Sequence, residues 1–263
     1  MVASPVTDRR FPGQNKFKLG LFSFNTYGGL TNTMAKERWQ ANWPNMCNLA
    51  IMAEESGIEF LLPLAGWMGH NGDAPTDGHF HETMSWAAGL LSATKSIHVF
   101  ATIHAPFLNP VFAAKQSVTC DHIGSGRLGL NLVAGYNEKE FDMFGVPYFG
   151  HSERYAYLED WLSVVRKIWL KQEAFSHQTE FFNLKDVVGF PKPFGNTLPM
   201  VVSAGSSPEG RAFALSKADA LFMVVKSIET LADDIRPAKL QMGNRPIKIY
   251  CSGHVICRRS KHE

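Results

Sequence analysis

Short runs rich in β-branched and aromatic residues alternate with longer stretches of helical spacing along nearly the whole chain, and this alternation constrains the fold most. Strands are expected at 18–24 (KLGLFSF), 59–64 (EFLLPL), 97–104 (IHVFATIH), 127–134 (RLGLNLVA), 198–204 (LPMVVSA), 220–225 (ALFMVV) and 247–256 (IKIYCSGHVI). Helical patterns fill the gaps at about 37–57, 82–94, 109–123, 152–171, 207–218 and 228–241. The fourth of these is the clearest: Tyr155, Leu158, Leu162, Val165 and Trp169 recur on one face behind a Ser152 cap. Strand, helix, strand repeated in this way means a parallel sheet with crossover helices. Such units either close into a barrel or form an open doubly wound sheet. Several strand ends carry polar or small residues (Asn25, His104, Gly135, Gly205) that open into long loops, so the expected fold is a TIM (β/α)8 barrel. No eighth strand and helix is visible after Lys261, and the barrel therefore reads as lacking its last β/α unit. Residues 1–17 read as a flexible N-terminal arm and 18–263 as a single barrel domain that is C-terminally incomplete. The non-periodic stretches 26–36, 66–81 and 173–197 read as loops, the first two on the face that carries the strand ends.

A formal G-x-G-x-x-G occurs at Gly124, Gly126 and Gly129 in DHIGSGRLGLNLVAG. A dinucleotide fingerprint needs a strand before the glycines and a helix after them, because the helix N-terminus must face the pyrophosphate. Here the order is reversed. The glycines end a helix, with Gly124 suited to a left-handed C′ position and Gly126 turning the chain into the next strand.

Composition narrows the partners. A net charge of +2 leaves no basic stripe for nucleic acid, which favours a small-molecule ligand. The longest apolar runs, such as ALFMVV and FLLPLA, are far shorter than the roughly 20 residues a bilayer requires. The segment MVASPVTDRRFPGQNK has no apolar core of an export signal, so a cytoplasmic protein is expected. Cys47, Cys120, Cys251 and Cys257 lie in apolar segments without C-x-x-C spacing and read as reduced, buried thiols.

Several residues could carry chemistry. Asn131 lies mid-strand in LGLNLVA, where its amide needs a partner: either a neighbouring strand or the polar edge of a ligand. Glu138 and Glu140 follow that strand in a loop or short helix, and Arg154 and Tyr155 open the next helix. Arg154 could equally pair with Glu153 or Glu159. SAGSSPEGRAF, 203–213, is a strand end, a turn and a helix start with Pro208 near N1, which is either an anion site or an ordinary serine cap. His70, His79 and His81 crowd a Gly/Asp-rich loop, where the H-x-H pair has no second pair to complete a metal site, so no metal is expected. His104 and His254 lie in strands among apolar residues, where a lone histidine is either a satisfied core residue or, since both strands should deliver them toward the barrel mouth, a catalyst. G-x-S-x-G, Walker A and H-E-x-x-H are absent, which leaves hydrolase and NTPase readings without a motif.

Together, FLLPLAGW, FATIHAPFLNPVFAAKQSVTCDHIGSGRLGLNLVAGYNEKEFDMFG, HSERYAYLEDW and MVVSAGSSPEGRAFA resemble the bacterial luciferase-like, flavin-dependent monooxygenases. Within them the resemblance is to the branch of alkanesulfonate, dimethylsulfone and RutA-type pyrimidine monooxygenases, over about Lys18 to Arg258. It implies a TIM barrel that uses reduced FMN as cosubstrate, delivered by a separate NAD(P)H:FMN reductase. It also implies O2 as oxidant, a flavin C4a-(hydro)peroxide as oxidising species, and a homodimer or homotetramer. Carried over by position, the resemblance implies flavin contacts from Ala65, Gly66, Asn131, Glu140, Arg154, Tyr155 and Ser207, with Ser207 and Arg154 on the phosphate. His104 and His254 are the implied catalytic residues, for proton handling or substrate hydrogen bonding.

Two departures bear on the substrate. The arginine that sulfonate-oxidising members carry two residues before the strand histidine is Ser252 here, and their reactive-loop cysteine has no counterpart in AGWMGHNG. An uncharged substrate is therefore expected, and FATIHAP and DMFG look most like the sulfone-type members. The alternatives are a pyrimidine monooxygenase, a non-catalytic FMN-binding barrel, and an oxidoreductase that uses the deazaflavin F420.

Overall fold

The computed structural model describes residues 17–31, 33, 35–69, 79–225, 227–255 and 260. The expected arm at 1–17, apart from Phe17, lies outside them, as do His70 and Cys257. Seven parallel strands form one sheet: β1 (Gly20–Phe22), β2 (Phe60–Leu62), β3 (His98–His104), β4 (Leu128–Val133), β7 (Met200–Ala204), β8 (Ala220–Met223) and β9 (Lys248–Cys251). They are hydrogen-bonded in that order, so β1 and β9 are its two edges. Between them run the helices α1 (Trp43–Glu55), α2 (Thr83–Ala93), α3 (Pro110–Ile123), α4 (Glu138–Phe144), α5 (His151–Leu170), α6 (Pro208–Lys217) and α7 (Leu231–Met242). A two-stranded antiparallel hairpin, β5 (Phe175–Gln178) and β6 (Asn183–Val187), stands apart from the sheet.

Side chains of each strand alternate between two apolar layers. Val99, Ala101, Ile103, Leu128, Leu130, Leu132, Val201 and Leu221 join the helices in the larger core. Phe60, Leu62, Phe100, Met200, Val202, Ala220 and Phe222 form a second cluster on the concave side. Rings meet across that concavity: Phe22 and Phe222 have centroids 5.0 Å apart, and Phe60 and Tyr250 5.1 Å. Contact between β2 and β9, near opposite edges of the sheet, shows that it curls into an incomplete barrel. The doubly wound alternative is excluded.

The glycines of the G-x-G-x-x-G divide the work differently from expectation. Gly124 has an ordinary φ of −86°, and the left-handed positions are Ser125 (φ 51°) and Gly126 (φ 88°). Gly124 is instead needed for space, since a Cβ there would lie 2.6 Å from Leu91 Cδ2. Gly129 makes room for the Phe100 ring, 2.2 Å from where its Cβ would stand.

Other local expectations are corrected. Helix α5 begins one residue before Ser152, with Gly150 as N-cap and no side-chain cap, because Ser152 already lies in the first turn. The stretch 173–197 is not all loop. His177 on β5 joins Asp160 of α5 at 2.6 Å and Lys167 at 2.8 Å, which holds the hairpin against that helix. Of the described cysteines only Cys120 is buried, while Cys251 ends the edge strand β9 and is exposed.

Candidate active site

All seven strands are parallel, so their C-terminal ends share one rim, and the rim collects most of the singled-out residues. The loop after β2 supplies Ala65 and Gly66. They line a cleft of about 150 Å³ together with Trp67, Phe80, Thr102 and His104. Glu140, in the first turn of α4, is buried and accepts hydrogen bonds from the backbone N–H groups of Trp67 (2.9 Å) and Met68 (3.3 Å). Its carboxylate thus shapes the next two residues of the cleft loop.

His104 ends β3 and lines the same cleft, stacked on Phe107 with centroids 5.2 Å apart. Burial pushes its pKa down to about 4, because the imidazolium would lose its hydration there. At neutral pH it is an uncharged imidazole that can donate at one nitrogen and accept at the other.

Asn131 lies on the inner face of β4, with Thr102 of β3 and Val202 of β7 as its register partners. Its Nδ2 donates to Thr102 Oγ1 at 3.1 Å, but its Oδ1 is shut from solvent without a hydrogen-bond partner. The neighbouring strand satisfies the Nδ2 half of the amide, and the Oδ1 half is left unsatisfied.

Five residues along from Val202, the chain reaches Ser207, the N-cap of α6, whose Oγ accepts from Gly210 N at 3.1 Å. The turn is pinched. A Cβ on Gly205 would lie 2.3 Å from the Gly210 carbonyl carbon, and one on Gly210 would lie 2.5 Å from Tyr155 Oη. Two glycines therefore let β7, the first turn of α6 and Tyr155 meet, which leaves the N–H groups of that turn at the rim. Glu209 in the same turn is engaged by His151 at 3.3 Å.

Arg154 pairs with neither Glu153 nor Glu159. Its guanidinium is buried, donates to the Phe149 carbonyl at 2.6 Å, and lies 4.4 Å from the centre of the Tyr148 ring. Nε has no partner, and no carboxylate neutralises the charge among the described residues. A buried cation in this position calls for an anion.

His254 departs from expectation. Strand β9 ends at Cys251, and His254 lies three residues beyond it, exposed, on the side of the rim where the strand is an edge. His79 stacks edge-on with Tyr27, and His81 bonds the Ala41 carbonyl at 2.7 Å. No group of three possible metal ligands occurs among the described residues. Sequence reasoning passed over Thr102, although it lies two residues before His104 and so on the same face of one strand. Tyr148, beneath Arg154, carries no such signal.

A family model described as luciferase-like monooxygenase matches residues 17–263. The chain is 32% identical over 245 residues to an FMNH2-dependent dimethylsulfone monooxygenase of Pseudomonas putida, covering 91% of this chain and 65% of that protein. It is 32% identical over 186 residues to the pyrimidine monooxygenase RutA of Methylorubrum populi (strain ATCC BAA-705 / NCIMB 13946 / BJ001), covering 69% and 48%. Among solved structures it superposes on the riboflavin lyase RcaE with a TM-score of 0.78 at 21% identity, covering 90% of this chain and 62% of that one. At that identity the likeness carries the fold alone. The chain thus spans about two thirds or less of the length of these relatives. On the family model and the curated relatives together, the chain belongs to the luciferase-like monooxygenases.

Proposed function

We propose that the rim binds reduced FMN and that the protein is the oxygenating component of a two-component, flavin-dependent monooxygenase acting on a small uncharged organosulfur compound such as a sulfone. The observation that carries this reading is a pair of unmatched buried groups: the cation of Arg154 and the acceptor Oδ1 of Asn131. FMN offers the two missing partners, a phosphate anion and a ring edge with N–H donors. Curated relatives named for FMNH2 support the same ligand.

In this reading Ser207 and the first turn of α6 hold the phosphate with Arg154, and Tyr155 closes that side. Ala65 and Gly66 line the ring, and Glu140 keeps their loop in place through Trp67 and Met68. When bound, reduced FMN supplies the activation of O2 and the transfer of oxygen. The chain's own part is to orient the substrate and keep water out, with Phe80, Phe107, Ile103 and Leu108 as the apolar walls. Neutral His104 hydrogen-bonds the substrate or relays a proton, accepting one at its bare ring nitrogen and releasing the one held by the other. His254, exposed beyond the end of β9, is the second proposed proton-handling residue.

The cleft lining contains no lysine or arginine among the described residues, and its one carboxylate, Glu82, accepts from Met84 N and Ser85 N as the cap of α2. An anionic sulfonate finds no cationic partner among the described lining residues, whereas a neutral sulfone does not need one. The same reading assigns a separate NAD(P)H:FMN reductase as the electron source, a cytoplasmic location and a homodimer or homotetramer. Titration with FMN, followed by flavin fluorescence, is the first test. Wild type should quench it, while Asn131→Ala and Ser207→Ala should weaken binding by about tenfold. Oxygen uptake with FMNH2 should then rise on adding dimethylsulfone. Absence of binding by wild type of both oxidised FMN and, under anaerobic conditions, reduced FMN would overturn the reading.

A further inference from the structure

Thr102 and Asn131 face each other in register across β3 and β4, and both are buried. Thr102 Oγ1 lies 2.6 Å from the Pro63 carbonyl oxygen and 3.1 Å from Asn131 Nδ2. A hydroxyl has one proton, and a carbonyl can only accept, so that proton is committed to Pro63. Toward Asn131 the hydroxyl then offers only a lone pair, which the amide NH2 can satisfy and the amide oxygen cannot. The reverse orientation would bring two acceptors to one proton and leave a buried oxygen pair in repulsion. Chemistry therefore dictates the direction of this amide. With Nδ2 held toward Thr102, Oδ1 is the half of the amide left without a hydrogen-bond partner.

We infer that Thr102 is the positioning residue that sets the polarity of Asn131, so that the site presents a hydrogen-bond acceptor and selects a ligand edge carrying an N–H donor. The relay Pro63, Thr102, Asn131 is anchored further by Thr83 at the start of α2, whose hydroxyl donates to the Thr102 carbonyl at 2.6 Å. The inference rests on the FMN reading above. The donor edge of the flavin is then either the ring N3–H, present in both redox states, or the N5–H, present only in the reduced state.

The test uses wild type, Thr102→Ser, which keeps the hydroxyl, and Thr102→Val, which removes it at nearly constant volume. Dissociation constants are measured for oxidised FMN in air and for reduced FMN under anaerobic conditions. Thr102→Val is expected to bind at least one form about tenfold more weakly, with Thr102→Ser within about twofold of wild type. A loss confined to reduced FMN identifies N5–H as the donor, and an equal loss in both forms identifies N3–H. In an Asn131→Ala background the further change Thr102→Val should cost nothing, because Thr102 acts through that amide. Should Thr102→Val not fold, Thr102→Cys replaces it and is expected to bind more weakly than Thr102→Ser. Unchanged affinities in Thr102→Val, an equal loss in Thr102→Ser, or a full loss that persists without Asn131 would each overturn the inference. Failure of wild type to bind either form would instead overturn the FMN reading on which it stands.

Discussion

Glu140 shows how a residue singled out for ligand contact can serve the site indirectly. Its buried carboxylate is matched by two backbone N–H groups of the cleft loop, so removing it strands both donors. Glu140→Ala should speed amide hydrogen exchange at Trp67 and Met68 and cost about 1–3 kcal/mol of stability. His104 gives a second prediction. Its folded pKa of about 4 lies below the ordinary histidine value of 6.5, so the unfolded chain binds the proton first as pH falls. The stabilisation is complete above the unfolded value and is lost as pH drops through 6.5 toward 4. Urea unfolding at about pH 7.5 and pH 5 should show wild type losing about 2 kcal/mol more than His104→Asn. Both residues were legible as neighbours of a strand end, but their partners were not. Thr102 went unnoticed because a threonine in a strand is ordinary, and only the commitment of its single proton to Pro63 makes it informative.

At the level of elements, the seven sheet strands and six of the helices follow directly from periodicity, since each buries one face at a regular interval. The β5–β6 hairpin does not. Its strands alternate over only a few residues, and its position depends on a polar cluster that joins distant parts of the chain. Asp160 receives His177 Nε2 at 2.6 Å and Thr179 Oγ1 at 2.5 Å, while Lys167 reaches His177 Nδ1. Lys167 donates to Nδ1, so His177 donates to Asp160 from Nε2. Asp160→Ala should therefore release the hairpin from α5, seen as faster proteolysis within 175–187, at a cost of about 1–3 kcal/mol. The sheet and its rim should stay intact. Helix α4 was only half legible, as a loop or short helix, because seven residues are too few to display a helical face.

For the molecule as a whole, closure of the sheet rests on rings that meet inside it. Phe60 touches Phe100 on the neighbouring strand and Tyr250 near the opposite edge, and its ring fills the space that Gly20 leaves. Phe60→Ala should cost about 3–5 kcal/mol in denaturant unfolding, more than an equivalent truncation on the helix layer that leaves the curl untouched. Legible along the chain were the order of strands and helices, the parallel sheet and the end of the sheet at which polar residues gather. Those properties come from local propensity and from the interval at which apolar residues recur, both of which are written along the chain. Only the folded arrangement shows that the sheet curls, that the Asn131 amide has one unpartnered end, and that Arg154 is buried without a counter-charge among the described residues. Each of these depends on groups far apart in sequence meeting at hydrogen-bond or van der Waals distance, where a proton shared or a charge left unmatched carries a cost that no single segment reveals.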